Sequence, residues 1–151
     1  MRTPVDGIQL LAGEQRQREI PALTGLFERS VQATHAFLKT DEAAHMSATL
    51  PALLMRVPVL AVYCKNGRMV GFVCLCGREL DMLFIDPAHM RKGAGTALMQ
   101  WALTQGADTL TVNEENAPAR RFYEHFGFRV TGRSEYDSLG NAHPILWMKR
   151  P

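Results

Sequence analysis

The residues with the clearest chemical potential lie between positions 81 and 99. Residues 81–87 read as an apolar strand that ends in a sharp turn, and residues 90–99 read as a glycine-rich loop that opens a helix. The first N–H groups of a helix lack intrahelical partners and lie at the positive end of its dipole, so this join favours a phosphate or pyrophosphate. Gly93 and Gly95 allow an anion to approach the backbone, and Arg91 and Lys92 add positive charge.

A Gly-x-Gly sequence also occurs in ordinary strand-to-helix turns, so the loop alone does not identify a function. It lacks the third glycine of the dinucleotide-binding fingerprint and the Gly-Lys-Ser/Thr of a nucleotide P-loop. No carboxylate pair suited to a metal ion follows it, which disfavours an enzyme acting on nucleotide phosphates.

A second motif follows the next apolar strand, over residues 116–128. It matches the pattern Asn-x-x-Ala-x-x-Phe-Tyr-x-x-x-Gly-Phe at every fixed position: Asn116, Ala119, Phe122, Tyr123, Gly127 and Phe128. Together the two motifs resemble the acetyl-CoA-binding core of the GNAT superfamily of N-acetyltransferases, whose first loop reads Gln/Arg-x-x-Gly-x-Gly/Ala. The residues around Thr34-His35-x-Phe37-Leu38 and Gly132-Arg133-Ser134-Glu135 further resemble a bacterial YjaB-like branch of that family.

The resemblance implies one α/β (α+β) domain over residues 1–151, with a mixed central sheet splayed between its fourth and fifth strands and helices on both faces. Hydrophobic periodicity agrees with that order. Asn66-Gly67 predicts a type I′ hairpin turn, Asp41 and Asn116 are predicted helix caps, and Gly127 is predicted to end a helix. Strands are predicted over residues 8–11, 58–63, 69–75, 80–85, 110–113, 128–133 and 144–149, and the first two helices over residues 14–32 and 41–55.

The resemblance also implies where acetyl-CoA binds. The amide-rich pantetheine arm would pair with the exposed edge of the fourth strand, the pyrophosphate would lie on the loop amides, and Asn116 would contact the arm. The implied cofactor-binding residues are Leu83, Phe84, Ile85, Arg91, Lys92, Gly93, Ala94, Gly95, Thr96, Asn116, Ala119 and Phe122. Met90 and Arg91 depart from the family pattern, and if the loop needs a positive φ at position 91, Arg91 predicts local strain.

Tyr123 matches the position of the family's phenol that protonates or hydrogen-bonds the leaving thiolate. On its own, the position of Tyr123 on an apolar helical face favours a core tyrosine with a satisfied hydroxyl, but the complete second motif favours the catalytic role. His35, Asp81 and Glu114 are candidate bases for the acceptor amine, with His35 and Asp81 ahead of Glu114, although each is also typical of an ordinary polar or solvated position. His35, Phe37 and Glu114 are expected to line the acceptor site, and Phe37 would also suit the core.

Composition sets broader limits. The 151 residues are 46% hydrophobic, and 17 basic against 15 acidic residues give a net charge of +2, which is too small and scattered to favour nucleic acid. We expect no membrane span and no secretory leader. Cys64, Cys74 and Cys76 lack metal-ligand spacing, so we expect no metal and reduced thiols in a cytoplasm.

Two functional hypotheses follow. The first is an acetyl-CoA-dependent N-acetyltransferase that moves an acetyl group directly to a primary amine of a small molecule or peptide, as a monomer or homodimer. A covalent route through Cys74 or Cys76 is the weaker mechanism. The second is a CoA-binding sensor or interaction module that kept the fold and lost turnover.

Overall fold

The computed structural model describes residues 6–151. The start of the chain, on which the expectation of no secretory leader partly rests, lies outside these residues. The described chain forms a seven-stranded sheet with strand order β1-β2-β3-β4-β5-β7-β6. Its strands are β1 (Gly7–Leu10), β2 (Val59–Lys65), β3 (Arg68–Cys76), β4 (Glu79–Ile85), β5 (Thr109–Asn113), β6 (Arg129–Ser134) and β7 (Ile145–Lys149).

Four α-helices cover the two faces of this sheet within the described range. They are α1 (Gly13–Thr34), α2 (Thr40–Arg56), α3 (Ala94–Thr104) and α4 (Ala117–His125), and a short 3₁₀ turn occupies Pro87–His89. The predicted helices and strands are therefore confirmed, with ends that differ by no more than two residues. No helix within residues 6–151 combines the length and the apolar character needed to cross a membrane.

The core is divided by the sheet into two apolar clusters. The first packs α1 and α2 against the sheet through residues such as Leu23, Phe27, Leu54 and Phe72. The second packs α3 and α4 against the other face, through residues that include Leu98, Met99, Val73, Phe128 and Leu146. All neighbouring strands are antiparallel except β4 and β5, which are parallel, so the sheet is mixed as predicted.

Local sequence signals account for most turns and caps. Asn66 and Gly67 have φ angles of 52° and 75°, which confirms the type I′ turn between β2 and β3. The predicted Asp41 cap is wrong. Helix α2 begins one residue earlier, and the Glu42 carboxylate accepts a hydrogen bond from the Lys39 N–H at 2.7 Å, because a glutamate in the first turn can reach back to the residue before the helix.

Candidate active site

The candidate site begins where strands β4 and β5 separate. Their pairing is limited to Glu79 with Thr109 and Leu80 with Leu110, so the remainder of β4 has no neighbouring strand on that side among residues 6–151. The Asp86 N–H donates to the Val70 carbonyl of β3 at 2.8 Å. Because successive residues of a strand direct their polar groups to alternate edges, the N–H groups of Ile85 and Leu83 point into the opening. The sheet is thus splayed between its fourth and fifth strands, as predicted.

A β-bulge sets which β4 side chains lie on each face. Cys74 pairs with Met82 and Leu75 pairs with Leu80, which leaves Asp81 as the extra residue. Beyond it, Leu83 and Ile85 pack toward α3 and α4, whereas Phe84 packs toward α1. The Phe84 ring lies 4.8 Å from that of Phe27, so this side chain is turned away from the face that carries the predicted cofactor loop.

The glycine-rich loop presents unpaired amides at the start of α3. Gly93 caps the helix with φ 91°, and Arg91 also has a positive φ, 61°. The N–H groups of Arg91, Lys92 and Gly93 make no hydrogen bond to residues 6–151. Left-handed backbone costs a residue with a side chain about 1–2 kcal/mol, so the loop is strained at Arg91 while its amides face outward.

The rest of the loop packs closely onto α4. A Cβ atom at position 95 would lie 3.5 Å from the Phe122 ring and 3.8 Å from Ile85, so Gly95 joins the loop, the splayed strand and α4. Ala94 is buried beneath the loop, and Thr96 is exposed.

Asn116 caps α4, as predicted. Its side-chain oxygen accepts a hydrogen bond from the Ala119 N–H at 3.3 Å. The oxygen is therefore turned toward the helix, and the amide NH₂ group has no partner within residues 6–151. No fully buried polar side-chain atom of the described chain lacks a partner, so this NH₂ group reaches accessible space.

Tyr123 is held by the end of its own helix. The Gly127 N–H donates to Glu124 and the Phe128 N–H donates to Tyr123, and Gly127 has φ 94°. These two bonds form a Schellman motif, and the Phe128 and Tyr123 rings pack 6.2 Å apart across it. The second motif therefore has a structural explanation, since Gly127 and Phe128 end the helix and hold the Tyr123 ring in position.

The Tyr123 hydroxyl is not the satisfied group of an ordinary core tyrosine. The residue is 8% exposed, and its hydroxyl makes no hydrogen bond within residues 6–151. Because no fully buried polar atom of the described chain is left without a partner, this hydroxyl must also open to accessible space. Burial raises the pKa of Tyr123 to about 12, so the hydroxyl keeps its proton.

His35 lies on the opposite face of the sheet, beside Phe84 and Phe37, with ring distances of 6.2 and 5.3 Å. The Thr34 hydroxyl donates its one proton to the Ser30 carbonyl at 2.7 Å, so its 2.7 Å contact with His35 Nδ1 requires Nδ1 to be the donor. This leaves Nε2 unprotonated. Burial lowers the pKa of His35 to about 4, so the ring is neutral near pH 7; its Nε2 can accept a proton, but burial makes it a weaker base than an ordinary histidine.

The two carboxylate candidates differ in their surroundings. Partial burial raises the pKa of Asp81, which has no ion-pair partner within the described residues. Glu114 accepts hydrogen bonds from the Arg133 guanidinium on both oxygens, and that contact lowers its pKa. An ion-paired carboxylate with a lowered pKa is a weaker proton acceptor, so Glu114 has less support than Asp81.

Cys74 is unsuited to a covalent route. It is fully buried in the α1–α2 cluster, and burial raises the pKa of its thiol to about 12. The thiolate, which is the nucleophilic form, is therefore not available near neutral pH. Cys76 is exposed but lies opposite Glu79, at the end of β4 away from the loop, so the positions of both cysteines favour direct transfer over an acetyl-cysteine intermediate.

Comparison with known proteins decides the family. Residues 30–143 match the acetyltransferase (GNAT) domain, which is more than half of the chain. The chain belongs to the GNAT family. The predicted fold and the predicted enzyme class, an acetyltransferase that uses acetyl-CoA, are confirmed at the level of the family.

The similarity to two curated bacterial GNAT proteins extends over most of each chain. The peptidyl-lysine N-acetyltransferase YjaB of Salmonella typhimurium is 39% identical over 132 residues, 87% of this chain and 91% of that protein. The peptidyl-lysine N-acetyltransferase YiaC of Escherichia coli is 33% identical over 124 residues, 78% of this chain and 82% of that protein. The solution structure of apo YjaB from Escherichia coli superposes with a TM-score of 0.85 at 36% identity and covers 97% of both chains.

Sequence reasoning missed several residues around this GNAT site. Asp86 is buried, accepts from the Ala88 N–H at 3.1 Å and pairs with Arg29 of α1 at 2.8 Å, which anchors the end of β4. A depression of about 430 Å³ lies beside this pair, next to the loop and not in the β4–β5 opening. His143 is also buried, and it contacts Glu42 and Glu115.

No pattern in the sequence could have revealed the His143 contacts, because His143 and Glu42 lie 101 positions apart. The Arg29–Asp86 pair spans 57 positions and was hidden for the same reason.

Proposed function

We propose that this enzyme acetylates a primary amine of a peptide, with a lysine side chain as the first acceptor to test, by direct transfer from acetyl-CoA in a ternary complex. The observation that carries the proposal is the β4–β5 opening. The loop amides and the Tyr123 hydroxyl both lack a partner within residues 6–151, and Tyr123 belongs to the apolar cluster against which Leu83 and Ile85 of the free edge also pack. The peptide lysine is suggested by the similarity to YjaB and YiaC, which are named as peptidyl-lysine N-acetyltransferases. A small-molecule amine is the other acceptor class.

The described residues fit the cofactor. The amides of residues 91–93 and the positive end of the α3 dipole suit a pyrophosphate, and the free edge of β4 suits an amide-rich arm. Asn116, with Ala119 and Phe122 on the next helix, borders the same opening. When bound, acetyl-CoA supplies an activated thioester whose carbonyl carbon accepts the amine nitrogen and whose sulfur leaves with the bonding electrons.

The groups of the chain that act in the remaining steps lie on the β4 edge and on both faces of the sheet. An N–H of Leu83 or Ile85 stabilises the negative charge that develops on the carbonyl oxygen. His35 Nε2, on the α1–α2 face, accepts the amine proton directly or through water, and Asp81 is the alternative base. Tyr123, on the α3–α4 face, donates a hydrogen bond to the departing sulfur.

The cytoplasm is the compartment we propose for the enzyme. Its support is that Cys64 and Cys74 are unpaired thiols buried in the described core. An oxidising compartment would favour disulfides instead.

Calorimetric titration with acetyl-CoA tests the cofactor site. We expect one-to-one binding, and we expect Arg91→Glu to weaken it by about tenfold or more, because the new carboxylate would repel the pyrophosphate. Arg129→Glu is the matched control, since it makes the same charge change on β6, whose Arg129 pairs with Lys149 at the far end of the sheet from the loop. Equal effects of the two variants would contradict a pyrophosphate site at the loop.

The acceptor is tested with an N-terminally blocked peptide that contains one lysine, beside the same peptide with dimethyllysine. Acetylation of the first peptide alone supports the proposal. Acetylation of small amines but not of the peptide would correct the acceptor class. Saturable CoA binding without turnover on any amine would contradict the enzyme hypothesis and favour the CoA-binding module.

A further inference from the structure

A buried histidine joins three separate segments at the edge of the candidate site. His143 is 8% exposed and contacts two carboxylates. Its Nδ1 lies 2.8 Å from Glu115, and its Nε2 lies 2.9 and 3.0 Å from the two oxygens of Glu42. Ionised carboxylates only accept hydrogen bonds, so both ring nitrogens must donate and the ring is an imidazolium. We call Glu42, His143 and Glu115 the His143 clamp.

The clamp connects the two sides of the opening. Glu42 lies in the first turn of α2 and also accepts a hydrogen bond from the N–H of Lys39, the last residue of the connection between α1 and α2. Glu115 immediately precedes Asn116, the cap of α4, and His143 lies just before β7. Three contacts through one ring therefore hold the α1–α2 connection against the segment that follows β5.

Phe37 links the clamp to the candidate base. Its ring lies 5.5 Å from the His143 ring and 5.3 Å from the His35 ring. The order of rings is thus His143, Phe37, His35 and then Phe84 of β4, with the last two 6.2 Å apart. Movement of the α1–α2 connection away from His143 would carry Phe37 with it and change the surroundings of His35.

We infer that His143 is a positioning residue. It holds the α1–α2 connection, with Phe37 and His35, over the α1–α2 face of the β4–β5 opening, where the proposed base would accept the proton of the amine. The inference rests on the proposed acetyl transfer and deepens it. None of the hydrogen bonds, ion pairs or ring contacts of His143 within residues 6–151 reaches the loop of residues 91–96 or α3, and the Asn116 cap has its own bonds to Ala119 and Asn113. The clamp should therefore govern binding of the amine and leave binding of acetyl-CoA unaffected.

The clamp depends on charge, and the charges that face it are known. Hydrogen bonds to Glu42 and then to Glu115 raise the pKa of His143, and those to Lys39 and then to His143 lower the pKa of Glu42. Lys39 is the other charged group near Glu42, and the neighbouring Phe37 carries no charge. The clamp is complete while His143 is protonated, and it is lost as the pH rises through the raised pKa.

The test compares His143→Gln with His45→Gln, which removes an exposed histidine from α2, the helix that carries Glu42. For His143→Gln we expect the amine KM to rise at least fivefold, while the Kd of acetyl-CoA changes less than twofold. The ratio of variant to wild-type KM should be largest below pH 7 and should shrink as the pH rises, because the wild type then loses the clamp too. Taking the ratio cancels the ionisation of the amine itself.

A readout without turnover keeps this inference separate from the proposed function. Hydrogen exchange of residues 36–42 should accelerate in His143→Gln and not in His45→Gln, whether or not any amine is acetylated. An active wild type whose KM and exchange are unchanged by His143→Gln would overturn the inference. So would a parallel loss of acetyl-CoA affinity, which would assign the clamp to the cofactor side or to the fold in general.

A gentler variant covers the case in which His143→Gln does not fold. Glu115→Gln keeps the shape and a carbonyl acceptor but removes one charge. It should raise the amine KM by a smaller factor and in the same direction, and no change in KM or exchange would again overturn the inference.

Discussion

At the scale of single residues, the pKa of Tyr123 decides between two roles for its hydroxyl. An ordinary thiol has a pKa of about 8.5, whereas burial raises that of Tyr123 to about 12. Complete proton transfer from the phenol to the departing thiolate would therefore be uphill by on the order of 5 kcal/mol. A hydrogen bond to the sulfur has no such cost. We infer that Tyr123 stabilises the thiolate and that the thiolate takes its proton from solvent.

Tyr123→Phe should therefore lower kcat by about 10²-fold, the usual loss when one preorganised donor is removed. The Kd of acetyl-CoA should stay within about twofold. Stability should be unchanged or slightly higher, because the hydroxyl has no partner within residues 6–151 to lose. Single-turnover kinetics, calorimetry and urea unfolding measure the three quantities. Tyr63→Phe on β2 is the control, and an unchanged kcat in Tyr123→Phe would remove Tyr123 from the mechanism.

At the scale of elements, the ends of helices determine the site more than their interiors do. The loop before α3 exposes its amides, and the Asn116 cap and the Schellman motif fix the two ends of α4. Helix α3 ends in the same way as α4, since Gly106 has φ 94° and the Ala107 N–H donates to Ala102. Of these two glycine caps, only the one at Gly127, which ends α4, holds a residue of the candidate site, Tyr123.

Gly127→Ala and Gly106→Ala should each destabilise the protein by about 1 kcal/mol or more, because both positions need a positive φ. Below the unfolding transition, only Gly127→Ala should also reduce kcat, since its cap positions Tyr123. Urea unfolding and steady-state kinetics on the two variants give the comparison. Equal kinetic losses would show that stability alone, and not the placement of Tyr123, limits the reaction.

The same distinction explains what could be predicted from the sequence. The Asn66-Gly67 turn, the Asn116 cap and the Gly127 terminus were predictable because each is determined by residues that are neighbours in the chain. The Asp41 cap was wrong because two adjacent acidic residues offer similar signals, and it is Glu42 that reaches Lys39.

Long-range features had no comparable signal. The bulge at Asp81 depends on the register of β3 with β4, and the His143 clamp depends on packing between distant segments. The roles of His35, Phe37 and Asp81 stay predictions, because position in the chain does not reveal which of them meets an amine.

At the scale of the whole molecule, the sheet lies between the proposed base for the amine, on the α1–α2 face, and the proposed hydrogen-bond donor to the sulfur, on the α3–α4 face. The packing of these two faces also holds β4 in place beside the opening. Beyond Leu80, β4 has no β5 partner, yet it is anchored from both faces. Phe84 is packed in the α1–α2 cluster, and Leu83 and Ile85 pack against the α3–α4 cluster. Packing on both faces, together with the pairing to β3, holds this part of β4 in place without a β5 ladder.

Two histidines joined through Phe37 also respond to pH in opposite directions, which makes a prediction for the stability of the whole chain. His35 has a lowered pKa of about 4, so below pH 6.5 the unfolded chain binds a proton that the folded chain excludes. The free energy of unfolding therefore decreases as the pH is lowered from 6.5 toward 4. His143 has a raised pKa, so its contribution is present below pH 6.5 and is lost as the pH rises through its folded value. Stability should therefore be greatest near neutrality.

Urea midpoints at pH 5, 7 and 8.5 separate these contributions. His35→Gln should reduce the loss of stability between pH 7 and 5, and His143→Gln should reduce the loss between pH 7 and 8.5. The range lies above the ordinary pKa of the carboxylates whose pKa is lowered, Glu42, Asp86, Asp108 and Glu114, and below that of the buried thiols Cys64 and Cys74. Asp81, whose pKa is raised, is common to the wild type and both variants, so its contribution cancels in the comparison. If His35→Gln loses as much stability as the wild type between pH 7 and 5, His35 is not desolvated, and its assignment as a neutral base fails with it.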